Sequence, residues 1–146
     1  MAMSRVERAA ALFKEGFSCS QAVFAAFAEA EGLTREQALK IAQPFGGGLA
    51  HRGELCGAVS GALLAIGLKH GRTRAEDEAA RDLTYRLVNA FMDRFQAAHG
   101  ALTCPGLLGV RIGTPDGMAT AKAGRLFETR CRGYVEAAAA LLEELV

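Results

Sequence analysis

Apolar side chains return every three to four positions from the start of the chain. In SRVERAAALFKEG, Val6, Ala9, Ala10 and Phe13 stand among charges, which predicts a helix from about Ser4 to Glu15, ended by Gly16. Val23, Ala26, Phe27 and Ala30 continue the period in a second helix reaching about Glu31, with Gly32 behind it. Ser18 and Gln21 make a Ser-x-x-Gln capping box at its start. Thr34 and Gln37 make the same box for a third helix, which ends before Pro44. Beyond the loop PFGGGLAHRG, a fourth helix is expected from near Glu54 to His70, closed by Gly71. A long fifth helix opens at Thr73, with Glu76 as box partner, and runs to His99-Gly100. Leu83, Leu87, Val88, Phe91 and Phe95 form its stripe. LTCPGLLG reads as a turn or a single helical turn. Thr114 and Pro115 cap and open another helix. The last runs from near Arg132 to the end, with Tyr134, Val135, Ala138, Leu141, Leu142 and Leu145 on one face. Period-two alternation is almost absent. The expected fold is all-α: a single-domain helical bundle of about six to seven helices over residues 1–146, with no linker or repeat.

Composition narrows the function more than the fold. The chain has 146 residues, 51% hydrophobic and 23% charged, enough for one core. A net charge of +1, with Lys and Arg scattered, gives no reason to expect nucleic acid as a partner. The longest uncharged apolar run, Leu55 to Leu68, falls short of the roughly 18 residues of a membrane span. The charged N-terminal segment does not read as a secretory signal. A cytoplasmic location, away from membranes, is expected.

The four cysteines, Cys19, Cys56, Cys104 and Cys131, change the picture. No CxxC pair exists, so zinc-ribbon and thioredoxin-type motifs are absent, and without CxxCH no covalent haem is encoded. A reducing compartment disfavours static disulfides. On the helix map, all four fall at helix N-termini. Unpaired N–H groups and the helix dipole favour an anion there, and thiol pKa values fall. Arg130 and Arg132 flank Cys131, and His51 and Arg52 precede Cys56, so each is expected to favour the thiolate further. The plain alternative is that these cysteines are small core hydrophobes.

Glycines surround Cys56. Gly57 and Gly61, with Ala58, Ala62 and Ala65, give the fourth helix a smooth face for close approach by a helix or a cofactor. Gly46-Gly47-Gly48 permits unusual backbone, but fits neither the dinucleotide nor the P-loop pattern. His70 and His99 read as helix ends. His51 reads as an exposed loop histidine, and a Cys56–His51 nucleophile pair lacks support at this spacing.

CGAVSG, residues 56–61, matches a CGAxxG signature. With Cys19 in GFSCSQAVFAAF, Cys104 in CPGLLG and Cys131 in RCRGYVEAAAALLEE, the order resembles the C_GCAxxG_C_C family of small redox-active proteins over nearly the whole chain. The resemblance implies that these four cysteines define the family, together with Gly57, Ala58 and Gly61, and implies a redox role.

Three functions follow as expectations. The first is a redox protein cycling thiols and disulfide with an unknown redox partner, with Cys56 attacking and Cys19 resolving. The second is an iron–sulfur or zinc protein with Cys19, Cys56, Cys104 and Cys131 as ligands. The third is a non-catalytic helical module that forms a homodimer through its small-residue faces.

Overall fold

The computed structural model describes residues 3–146; Met1 and Ala2 lie outside the described residues. It is all-α, with eight helices and, among the described residues, no strand. Seven of the eight have at least seven residues, as the sequence pattern predicts. They are α1 (Arg5–Lys14), α2 (Cys19–Ala28), α3 (Arg35–Ala42), α4 (Gly57–His70), α5 (Glu78–His99), α6 (Cys104–Leu108), α7 (Pro115–Ala123) and α8 (Arg132–Leu145).

Helix α2 is the axis of the bundle. Every residue from Ser20 to Ala28 is buried, and α1, α3, α4 and α8 pack around it. A helix apolar on all sides must sit inside the core, because no face of it suits water. Its two buried polar side chains are both satisfied. Ser20 Oγ donates to the Ala42 carbonyl at 2.7 Å, and Gln21 Nε2 donates to Leu39 O at 3.0 Å and Gln43 Oε1 at 2.9 Å. The capping boxes at Ser18/Gln21 and Thr34/Gln37 form as expected. The predicted stripe on α2 was too narrow, and Ala30, expected in the core, is exposed in the turn that follows.

Two helix starts differ from expectation. Helix α5 opens at Glu78, because Asp77 caps it by accepting the Ala80 N–H at 3.0 Å. Glu76 pairs with Arg74 at 2.7 Å instead of completing a box with Thr73. Helix α4 opens at Gly57, not near Glu54. The residues before it stay extended and pair antiparallel with the strand-like entry to α6, bridging Leu55 and Thr103. Cys56 N–H donates to Leu102 O at 2.8 Å, and Cys104 N–H donates to Glu54 O at 3.0 Å.

The loop before α4 turns left-handed. Gly47, Gly48, Leu49, Ala50 and His51 all have φ between +49° and +69°. For each non-glycine this costs about 1–2 kcal/mol. Backbone bonds hold the turn, including Ala50 N–H to Pro44 O at 3.0 Å and Glu54 N–H to Gly48 O at 2.9 Å.

The small-residue face of α4 is covered by α2 within the chain. A Cβ on Gly61 would stand 2.7 Å from Ser20 O, while one on Gly67 would meet nothing within 4 Å. Gly61→Ala is therefore expected to destabilise by about 1–3 kcal/mol despite alanine's better helix propensity. Gly67→Ala, in the same helix, is expected to stabilise by up to about 1 kcal/mol. Denaturant unfolding of the two variants checks the pair, and equal shifts would contradict the close packing.

Candidate thiol site

The helix termini meet at one cavity. Its volume is about 600 Å³, and its lining includes Cys19, Cys56, Cys104 and Cys131. Residues 37, 48 and 27 positions apart along the chain thus face a common space.

Each cysteine reaches the cavity for a local reason. Cys19 is the first residue of α2, directly after the Ser18 cap. Cys56 occupies the cap position of α4, at the open N-terminus of that helix. Cys104 opens α6 behind the Thr103 cap, whose Oγ1 accepts the Gly106 N–H at 3.3 Å. The reciprocal backbone bonds of the Leu55–Thr103 bridge hold Cys56 and Cys104 in register.

Cys131 corrects the sequence reading. It does not begin a helix: a π-helical stretch, Phe127–Cys131, runs directly into α8, and Cys131 itself has helical angles. Its backbone therefore offers no free helix N-terminus. Phe127, Cys131 and Tyr134 share the helix face on the cavity. Two bonds tie this helix to α6: Tyr134 Oη donates to Leu107 O at 3.0 Å, and Arg130 Nη1 donates to Leu108 O at 3.2 Å. His99 packs edge-on to the Tyr134 ring at 5.4 Å.

Close approach replaces side chain at several points. A Cβ on Gly57 would lie 2.6 Å from Cys19 Sγ, so the glycine lets Cys19 sit against the start of α4. A Cβ on Gly48 would lie 3.0 Å from Cys104 Sγ and 2.5 Å from the Glu54 nitrogen. Ala58 is fully buried and Gly61 lies against Ser20, so these two signature residues pack helices.

Three of the thiols are pushed away from the thiolate form. The Cys56 thiol is pushed well up, first by its hydrogen bond to Cys104, then by burial and by Cys104 as a neighbouring charge. Burial, then Cys56, pushes Cys19 to about 11, although the Gly47 and Ser20 N–H groups pull the other way. Burial, then Cys19, Cys56 and Glu128, pushes Cys131 to about 12. The expected lowering at helix N-termini is present but loses to desolvation and mutual repulsion. The arginines expected to help are engaged elsewhere. Arg52 is exposed and lies 3.9 Å from Glu54, Arg132 bonds Glu136 at 3.1 Å, and Arg130 holds Leu108.

The sequence reading missed most of the cavity wall. Phe13, Phe17, Leu107, Leu108, Ile112, Phe127 and Tyr134 make it largely apolar, with Lys14, His51 and Glu128 also lining it. His51, expected as an exposed loop residue, is exposed yet reaches this wall. Its ring fills the space that a Gly47 side chain would need. The left-handed turn that puts it there has no periodic signature. Among the described residues, no group of three or more His, Cys, Asp or Glu side chains is arranged to hold a metal ion. The sulfurs share a cavity without forming such a ligand set.

A family model described as "Putative redox-active protein (C_GCAxxG_C_C)" matches residues 17–145. The chain belongs to this family. The family's name writes the glycine before the cysteine, whereas this chain reads Cys56-Gly57-Ala58. Comparison with curated proteins and with solved structures finds no match. No helix among the described residues is long and apolar enough to cross a membrane.

Raised thiol pKa values link to stability. The folded values of Cys19, Cys56 and Cys131 lie above the ordinary thiol value, so these groups ionise first in the unfolded chain as pH rises. The stabilisation is complete below about pH 9 and is lost between there and about pH 11–12. Denaturant unfolding of the fully reduced protein is expected to show stability falling over that window. Cys131→Ser is expected to flatten the fall, and an unchanged slope would contradict the buried-thiol environment.

Proposed function

We propose that this redox-family protein works by thiol–disulfide exchange, with Cys56 and Cys104 as the cycling pair. The observation that carries the reading is the reciprocal backbone bridge that holds the buried Cys56 and Cys104 side by side on a cavity lined by all four cysteines. The redox partner is a dithiol or disulfide. In the oxidising direction, the Cys56 and Cys104 thiols and one partner disulfide become one protein disulfide and two partner thiols. Two electrons and two protons pass to the partner, and the reverse reaction restores the dithiol.

Several features support this over an inert core. A reciprocal backbone bridge keeps the Cys56 and Cys104 segments side by side. When either cysteine becomes a thiolate, it lies at a helix start where N–H groups can stabilise it. Cys19, the expected resolving partner, lies against Gly57 next to Cys56, but the backbone bridge ties the Cys104 segment to that of Cys56. The homodimer reading loses its smooth face, which α2 covers.

The test is equilibration of the reduced protein in glutathione buffers of graded potential, followed by acid quench, alkylation and peptide mapping. The expected result is a two-electron transition producing a Cys56–Cys104 cross-link, abolished by Cys56→Ser and by Cys104→Ser. Thiols that remain reduced throughout, or form only glutathione adducts, would overturn the reading.

A further inference from the structure

The four thiols are not equivalent. Cys56 and Cys104 are buried, at 5% and 6% exposure, whereas Cys19 and Cys131 are partly open. Their contacts form an ordered path. Cys131 and Cys19 line the same cavity, Cys19 Sγ lies against Gly57 next to Cys56, and the backbone bridge holds the Cys56 and Cys104 segments together. Gly57 shortens the middle of this path, because its missing Cβ leaves Cys19 Sγ room beside the start of α4.

The cavity also limits what can reach the thiols. It is a recess of about 600 Å³ with aromatic walls from Phe13, Phe17 and Phe127. A recess of this size suits a small molecule, whereas a folded protein presenting a rigid disulfide would need a flat or protruding surface.

We infer that Cys19 and Cys131 are an entry pair that exchanges with a low-molecular-weight disulfide and passes the oxidation inward to Cys56 and Cys104. The inference rests on the reading of Cys56 and Cys104 as the cycling pair. Cys19, as thiolate, attacks one sulfur of the small disulfide and releases one small thiol. Cys131 attacks the Cys19 sulfur of the mixed disulfide, releasing the second small thiol and leaving a Cys19–Cys131 disulfide. Cys56 then attacks the Cys19 sulfur and frees Cys131. Cys104 attacks the Cys56 sulfur and frees Cys19. The outer pair ends reduced and the inner pair oxidised. Two electrons and two protons have passed from the inner pair to the two small thiols, with no other reactant.

The test is a rapid-mixing time course with glutathione disulfide as probe, quenched with acid, alkylated and mapped by mass spectrometry. In Cys56→Ser, the expected product is a Cys19–Cys131 cross-link formed at about the wild-type rate. In the Cys19→Ser/Cys131→Ser double variant, Cys56 and Cys104 are expected to join at least about tenfold more slowly, yet to the same final extent at a given potential. Serine is close to cysteine in size, and circular dichroism confirms the fold of each variant. Oxidation of the inner pair at the wild-type rate in the double variant would overturn the relay while leaving the cycling pair intact. A wild-type protein that never forms the inner disulfide would overturn both.

Discussion

The seating of α4 on the first turn of α2 is the contact on which the site depends. Gly57 and Gly61 remove the side chains that would hold the helices apart, and the backbone of Ser20 and the sulfur of Cys19 fill the space. Each glycine costs about 1 kcal/mol of helix propensity relative to alanine. The return is a buried helix pair whose N-termini lie together. With α2 surrounded by its neighbours, the position of Cys19 is fixed, and with α4 seated against it, so is that of Cys56. The short antiparallel bridge before α4 then draws α6 and Cys104 to the same place.

Two electrostatic effects compete at that meeting point. Helix N-termini offer N–H groups to a thiolate, yet the cysteines sit in a largely apolar cavity and beside one another. Burial and proximity win at Cys19, Cys56 and Cys131, whose thiols are pushed up. This suits a site that stays quiet until one thiol ionises. Losing one proton leaves a thiolate that the helix start and the neighbouring S–H can stabilise. Forming a disulfide removes two ionisable groups at once, and with them their mutual repulsion.

The sequence showed the helical architecture because amphipathic period and caps are local properties. Ser18, Thr34 and Thr114 all cap the helices expected of them. The errors arose where a non-local partner decides the outcome. Glu54 and Leu55 carry no signal that their backbone pairs with Thr103. Arg74 takes Glu76 from the box predicted at Thr73, and Asp77 supplies the cap. Cys131 looked like a helix start because the last helix was expected to open near Arg132. The π-helical stretch instead carries the helix through it. The cysteines were legible as candidates, but the cavity was not, since its wall comes from residues indistinguishable from ordinary core positions. The left-handed turn holding His51 was equally hidden, as only its glycines have a preference for that backbone.

The central claim is that cysteines far apart in the chain converge on one space. The binding of a trivalent arsenical, phenylarsine oxide, to the reduced protein tests it most directly, because stable retention requires two sulfurs on the same arsenic. Native mass spectrometry of the folded chain is expected to show retained arsenical, which is largely lost when urea separates the cysteines. A folded protein that retains none, while each thiol still reacts singly with a small alkylating agent, would contradict the convergence.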